Sequence, residues 1–177
     1  MSHLHKELSC ACFQLPRRGF SLGAGAMALT LRPTLVRAAS GDYQAMILRC
    51  IDPRLQTPVR NYAVTHGLDG QYSQFIFAGA AIGAVAPAFA SWHDTFWDNL
   101  ATSVKLHGIK SVIAIDHRDC GAARIAYGDA SIATPEIETE THKKAMAEFR
   151  TEVAKRQPTL KIETMLMALD GSVITFT

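Results

Sequence analysis

Two short polar motifs, each closing a run of strand-forming residues, constrain this 177-residue chain more than any other feature. The stretch Tyr43-Gln44-Ala45-Met46-Ile47-Leu48-Arg49-Cys50 is largely apolar and stops at a turn around Pro53, the pattern of a buried strand carrying Cys50 at its C-terminal end. Ser111-Val112-Ile113-Ala114-Ile115 is the clearest strand in the chain, and it runs straight into Asp116-His117-Arg118-Asp119-Cys120-Gly121. Gln74 to Phe77 reads as a further short strand, opening into a loop of small residues from Ala78 to Gly83. Leu160 to Ala168 and Val173 to Phe176, joined by a turn at Asp170-Gly171, read as a closing strand and hairpin.

Helical segments alternate with these strands. Thr57–Thr65 has Pro58 near its start and Gly67 just past its end. Asp94–His107 carries Phe96, Trp97, Leu100 and Val104 at helical spacing and stops at Gly108. Ala122–Tyr127 and the charged Ile137–Lys155 follow, the latter closed by Pro158. Alternation of this kind predicts an α/β fold: a single domain with a largely parallel central sheet flanked by helices. Ligands in such folds gather at the C-terminal ends of strands. Both motifs stand at such ends, so Cys50 is expected to meet His117 and Cys120 at one edge of the sheet.

Two thiolates and an imidazole suit a borderline-soft ion, and zinc is the natural choice. Three protein ligands leave a fourth position open, which marks catalytic rather than structural zinc sites. A water held there has its pKa lowered to about 7 and becomes a nucleophile at neutral pH. Asp52 and Arg54 lie two and four residues beyond Cys50, on one side of an extended segment. Their pairing would keep the carboxylate ionised and aimed at that water. Asp52 is equally able to occupy the fourth zinc position and close the site. A disulfide between Cys50 and Cys120 and a purely structural Asp52–Arg54 ion pair are the plainer alternatives.

Here the residues carry a family resemblance. Cys50-Ile51-Asp52-Pro53-Arg54 and His117-Arg118-Asp119-Cys120-Gly121 resemble the two signature motifs of β-class carbonic anhydrases, and the likeness extends from about Tyr43 to the C-terminus. Leu106-His107-Gly108-Ile109-Lys110 is similar in pattern as well. The resemblance implies a zinc lyase that hydrates carbon dioxide reversibly to bicarbonate and a proton. Cys50, His117 and Cys120 would be its zinc ligands and Asp52–Arg54 its catalytic dyad. It also implies dimers or higher homo-oligomers with sites near the interface. Many family members carry an Arg-Asn-Ala-Gly stretch between the motifs, where this chain has Phe77-Ala78-Gly79-Ala80. Relatives of this fold include hydrolases of carbonyl sulfide and carbon disulfide, so that chemistry stays open on the same site. So does a non-catalytic zinc- or bicarbonate-binding module.

Other residues have plainer readings. His107 is expected at a helix C-terminus, His66 in a solvated turn and His93 on the surface, although imidazole at His93 has the right range for a proton shuttle. Asp116 and Asp119 flank the ligands and either support them or serve only the loop. Trp92, Phe96 and Trp97 are expected in a core or an interface, and Phe75 and Phe77 in the core. Gly79 and Gly83 do not make a phosphate loop, because no Lys-Ser/Thr follows them.

The first 39 residues read as an address rather than as part of the fold. They hold five basic residues against Glu7 alone, so they contribute +4 to a formal net charge of +2 and leave the remainder at −2. That remainder offers no basic face broad enough for nucleic acid. Arg17-Arg18 precedes a short apolar run from Ser21 to Leu29, and Val36-Arg37-Ala38 supplies small residues for cleavage. This arrangement is expected of a twin-arginine export signal leading to the periplasm, the plainer alternative being a basic amphipathic helix that stays attached. Arg32 and Pro33 interrupt the run, so no membrane anchor is expected once the signal is removed. Cys10 and Cys12 would leave with it, and residues 40–177 would be the zinc domain.

Overall fold

The strand runs that end in the two motifs lie side by side at the centre of one sheet. The computed structural model describes residues 41–177, so the segment expected to be an export signal, with Cys10 and Cys12, lies outside the described residues. The strands are β1 (Ala45–Arg49), β2 (Tyr72–Ile76), β3 (Ser111–His117), β4 (Lys161–Met167) and β5 (Val173–Phe176). Their order is β2-β1-β3-β4-β5. The first three pairings are parallel, and β5 returns antiparallel on β4. This agrees with the α/β fold and largely parallel sheet expected from the sequence.

The helices are α1 (Gln56–Thr65), α2 (Ala81–Val85), α3 (Ala90–His107), α4 (Gly121–Tyr127) and α5 (Pro135–Arg156). Their ends follow local chemistry. Gly108 takes φ 56° to cap α3, a left-handed conformation that other residues adopt at a cost. The Thr134 hydroxyl accepts from the Ile137 N–H at the start of α5, with Pro135 in the first turn. Glu136 and Glu138 sit at the positive end of that helix, and Lys155 and Arg156 at the negative end.

Residues 112–117 of β3 are all buried, as is usual for a strand covered on both faces. Phe96 of α3 is fully buried, with Phe75, Phe77, Trp97 and Phe149 around it at ring-centroid distances of 4.7–5.8 Å. Trp97 is buried too, whereas Trp92 is 38% exposed and stacks on Phe89. Two expectations need correction. The small residues after Phe77 are not a loop throughout, since Ala81–Val85 winds into a short helix. Gly83 lets that helix pack closely: a Cβ there would stand 2.3 Å from the Ala78 carbonyl oxygen. Helix α3 also begins at Ala90, four residues before the expected Asp94, and so includes Trp92 and His93. Among the described residues no helix is long and apolar enough to cross a membrane.

Burial of Phe96 against four aromatic rings predicts that Phe96→Ala lowers unfolding stability by about 3–5 kcal/mol. Urea denaturation measures this directly, and a loss below about 1 kcal/mol would remove Phe96 from the centre of the core.

Candidate metal centre

Strand β1 has β2 on one side and β3 on the other. The chain therefore leaves β1 in one direction to form β2 and passes to its opposite flank to form β3. The C-terminal ends of β1 and β3 diverge into their loops at this switch point, which is where open α/β sheets form clefts. Arg49 pairs with Ile115, so Cys50 emerges opposite Asp116 and one residue from His117. The Cys50 sulfur, the Cys120 sulfur and a His117 ring nitrogen lie within 4.8 Å of one another, and all three residues are buried. Both cysteines are free thiols, so the disulfide alternative is not formed.

The histidine is oriented by its neighbour. His117 Nδ1 lies 2.8 Å from the Arg118 carbonyl oxygen, which can only accept, so Nδ1 carries the proton. Nε2 then bears the lone pair, and it is buried without a hydrogen-bond partner. An orphaned nitrogen beside two thiols is poorly placed for a core and well placed for a metal ligand. The donor set of two sulfurs and one nitrogen fits zinc.

Electrostatics within the cluster point the same way. The Cys50 thiol is pulled well below its ordinary value, first by a hydrogen bond from Cys120 and further by His117 and the Gly79 N–H, against the opposing effect of burial. The Gly79 amide stands 3.3 Å from that sulfur. Cys120 is pushed up in return by sharing its proton with Cys50 and by burial. Burial alone would depress His117, but Cys50, the Arg118 carbonyl and Asp52 outweigh it and raise the imidazole. The cluster thus favours a thiolate even before any ion is considered.

Asp52 and Arg54 sit at the rim. The Arg54 backbone N–H donates to Asp52 Oδ1 at 2.9 Å, and the guanidinium donates to both carboxylate oxygens at 2.7–3.1 Å. This fork holds the Asp52 carboxyl down at about 2, well below the ordinary range. Asp52 Oδ2 lies 4.0 Å from His117 Nε2. Asp52 is therefore paired with Arg54 in this structure while still facing the cluster.

Several contacts were not legible in the two motifs. Arg54 Nη1 also donates to Asp119 Oδ2 at 2.8 Å and Nη2 to the Asp119 carbonyl at 3.2 Å, tying the first motif to the second. Asp119 takes φ 57°, and its N–H donates to Glu138 Oε1 at 2.6 Å. Glu138 also receives Arg118, which in turn donates to the Pro135 carbonyl and Thr139. The ligand loop is thereby fastened to the start of α5. Asp116 is buried and accepts from His142 and from the Ala81 N–H. Nothing read from the sequence marked Glu138 or His142.

Among the described residues, the histidines expected to be plain lie away from the cluster. His66 stacks on Tyr62 and bonds its carbonyl at the end of α1, His93 bonds the Ala86 carbonyl, and His107 ends α3. An apolar groove of about 380 Å³ opens beside the site. Its wall includes Ile51, next to Cys50, and Ala78, next to Gly79, together with Phe75, Phe77 and Trp92.

Residues 40–175 match the family model described as "Putative carbonic anhydrase". The chain is 30% identical over 132 residues to an uncharacterized protein of Rickettsia conorii (strain ATCC VR-613 / Malish 7), covering 75% of this chain and 71% of that one. An uncharacterized protein of Rickettsia bellii (strain RML369-C) is likewise 30% identical over 132 residues, covering 75% and 80%. Among solved structures, the β-carbonic anhydrase CcaA superposes with a TM-score of 0.51 at 11% identity, covering 78% of this chain and 80% of that one. A point mutant of the β-carbonic anhydrase CafD of the filamentous fungus Aspergillus fumigatus gives 0.51 at 10% identity, covering 82% and 93%. These two establish likeness of fold, while the family match spans most of the chain. The chain belongs to the family described as putative carbonic anhydrase, and its described residues take the β-carbonic-anhydrase fold.

Proposed function

We propose that this protein is a zinc lyase that hydrates carbon dioxide reversibly to bicarbonate and a proton. The observation that carries the reading is the buried, unpartnered His117 Nε2 set beside two free thiols, with an ionised carboxylate 4.0 Å away. Zinc held there would supply Lewis acidity and a water that deprotonates near neutral pH. Cys50, His117 and Cys120 would hold it, with Nδ1 of His117 locked on the Arg118 carbonyl so that Nε2 faces inward. Asp52 would accept a hydrogen bond from the water so held and orient it, while Arg54 keeps the carboxylate ionised and paired. Phe77 and Ala78 would offer apolar surface to a neutral linear substrate.

The same features support hydrolysis of carbonyl sulfide or carbon disulfide as a second reading. The stretch Phe77-Ala78-Gly79-Ala80 puts apolar groups where many β-class enzymes carry Arg and Asn. A homo-oligomer is also part of the proposal. Strand β2 is an outer strand of the sheet and ends in Ile76, 42% exposed; Ile51 and Trp92, which line the same groove, are 60% and 38% exposed, and a second copy would cover all three. Export through the twin-arginine segment to the periplasm completes the reading.

Stopped-flow hydration on metal-quantified protein tests the reaction. Asp52→Ala should keep one zinc per chain and lose about 10²–10⁴-fold in kcat/KM, while Cys120→Ser should lose the zinc itself. Full zinc content with no hydration, and hydrogen sulfide released from carbonyl sulfide instead, would move the assignment to the second reading. Zinc content with neither reaction would leave a non-catalytic module.

The Asp52–Arg54 pairing predicts a carboxyl titration near pH 2 by carbon-13 NMR, rising toward the ordinary 3.9 or so in Arg54→Ala. Because the folded value is depressed, the stability contributed by this pair is complete above the ordinary value and is lost only as pH falls toward about 2. An unchanged Asp52 titration in Arg54→Ala would show that the guanidinium does not hold it.

Export predicts that replacing Arg17-Arg18 by Lys-Lys leaves the protein in the cytoplasm on cell fractionation. Unchanged location would overturn the signal reading.

A further inference from the structure

Asp116 and His142 take no part in the chemistry above, yet they are 1% and 0% exposed. Asp116 immediately precedes His117 on β3, and strand alternation sends its side chain to the opposite face. There Asp116 Oδ2 accepts from His142 Nδ1 at 2.8 Å, and Oδ1 accepts from the Ala81 N–H at 2.9 Å. Aliphatic side chains of similar size would fill this space with no desolvation penalty. The other nitrogen of His142 makes the arrangement dearer still, because Nε2 is buried without a partner. Stability alone does not account for the pair.

What the pair holds is a strained turn. Gly79 has φ 82°, and Ala80 has φ 46° and ψ −112°, a conformation that residues with a Cβ rarely adopt. A Cβ on Gly79 would stand 3.0 Å from the Ala122 methyl and 3.1 Å from the Gly83 nitrogen, so the turn is also tightly enclosed. One end of it is the Ala81 N–H fixed on Asp116. The other is the Gly79 N–H, which donates to the Cys50 sulfur at 3.3 Å.

We propose that the Asp116–His142 pair is a positioning device for the metal centre. By fixing Ala81 it maintains the strained Gly79–Ala80 turn, and so keeps the Gly79 N–H on the Cys50 sulfur. This rests on the reading of Cys50 as a metal ligand. Such a bond aims the sulfur and stabilises its lone pairs, and outer partners of this kind govern both affinity and electronic character of a metal site. Asp116 and His142 are positioning residues here, acting through the backbone of the turn.

The test uses cobalt in place of zinc, because thiolate-to-cobalt charge transfer reports on the sulfur directly. His142→Leu removes the donor and should move that band to lower energy and weaken zinc affinity about 10–100-fold. His142→Asn places an amide N–H close to the Nδ1–H position and should preserve both. Val153→Ala loosens the same helix about 16 Å along its axis and should change neither. If the leucine variant does not fold, His142→Gln takes its place, since its amide sits one methylene further out and should show the same loss. A band and affinity unchanged in His142→Leu, or altered equally in Val153→Ala, would overturn the positioning role while leaving the metal centre intact. Wild-type protein that takes up cobalt with no thiolate band would overturn the metal reading of Cys50 and this proposal together.

Discussion

The parallel pairing of β1 with β3 is the constraint on which the candidate site depends. Neither motif is a metal centre alone. Cys50 supplies one sulfur at the end of β1, and His117-x-x-Cys120 supplies two donors at the end of β3. The register that sets Arg49 against Ile115 brings them within 4.8 Å. A slip of one residue would also send each side chain to the other face of the sheet. The apolar stretches of both strands favour that register, because Ala45–Leu48 and Val112–Ile115 are all buried and the polar residues stand only at the strand ends.

Around this pairing the structure assembles successive layers of restraint. The Arg118 carbonyl sets the imidazole. Arg54 links Asp52 of the first loop to Asp119 of the second, and Glu138 fastens the second loop to α5. The left-handed backbone of Asp119 is a local strain that these contacts support. Long-range ties of this kind hold the two loops and their three donors as one frame.

The ends of β1 and β3 were legible in the sequence because β-branched and apolar runs of strand length stop there at polar, turn-forming residues. The cluster of Cys50, His117 and Cys120 was legible because soft donors followed both ends. The extent of α2 was not, since Ala-Gly-Ala-Ala-Ile-Gly has no periodicity and its helix is decided by packing of Gly83 against Ala78. The early start of α3 was hidden for a related reason: Ala90-Ser91 gives no capping signal, and the turn at Pro87 provides the entry instead. Asp116 could be suspected only from its position beside His117. His142 stands 26 residues away on a charged helix, where nothing local separates a solvated histidine from a fully buried one.

In the proposed function Cys50, His117 and Cys120 together bind one zinc ion with a position left for a small ligand. X-ray absorption at the zinc edge on the purified protein tests it most directly. Two sulfur scatterers at about 2.3 Å and two nitrogen or oxygen scatterers at about 2.0–2.1 Å are expected, with the oxygen replaced when a competing anion such as azide is added. A shell lacking sulfur, or one that no added anion alters, would contradict it.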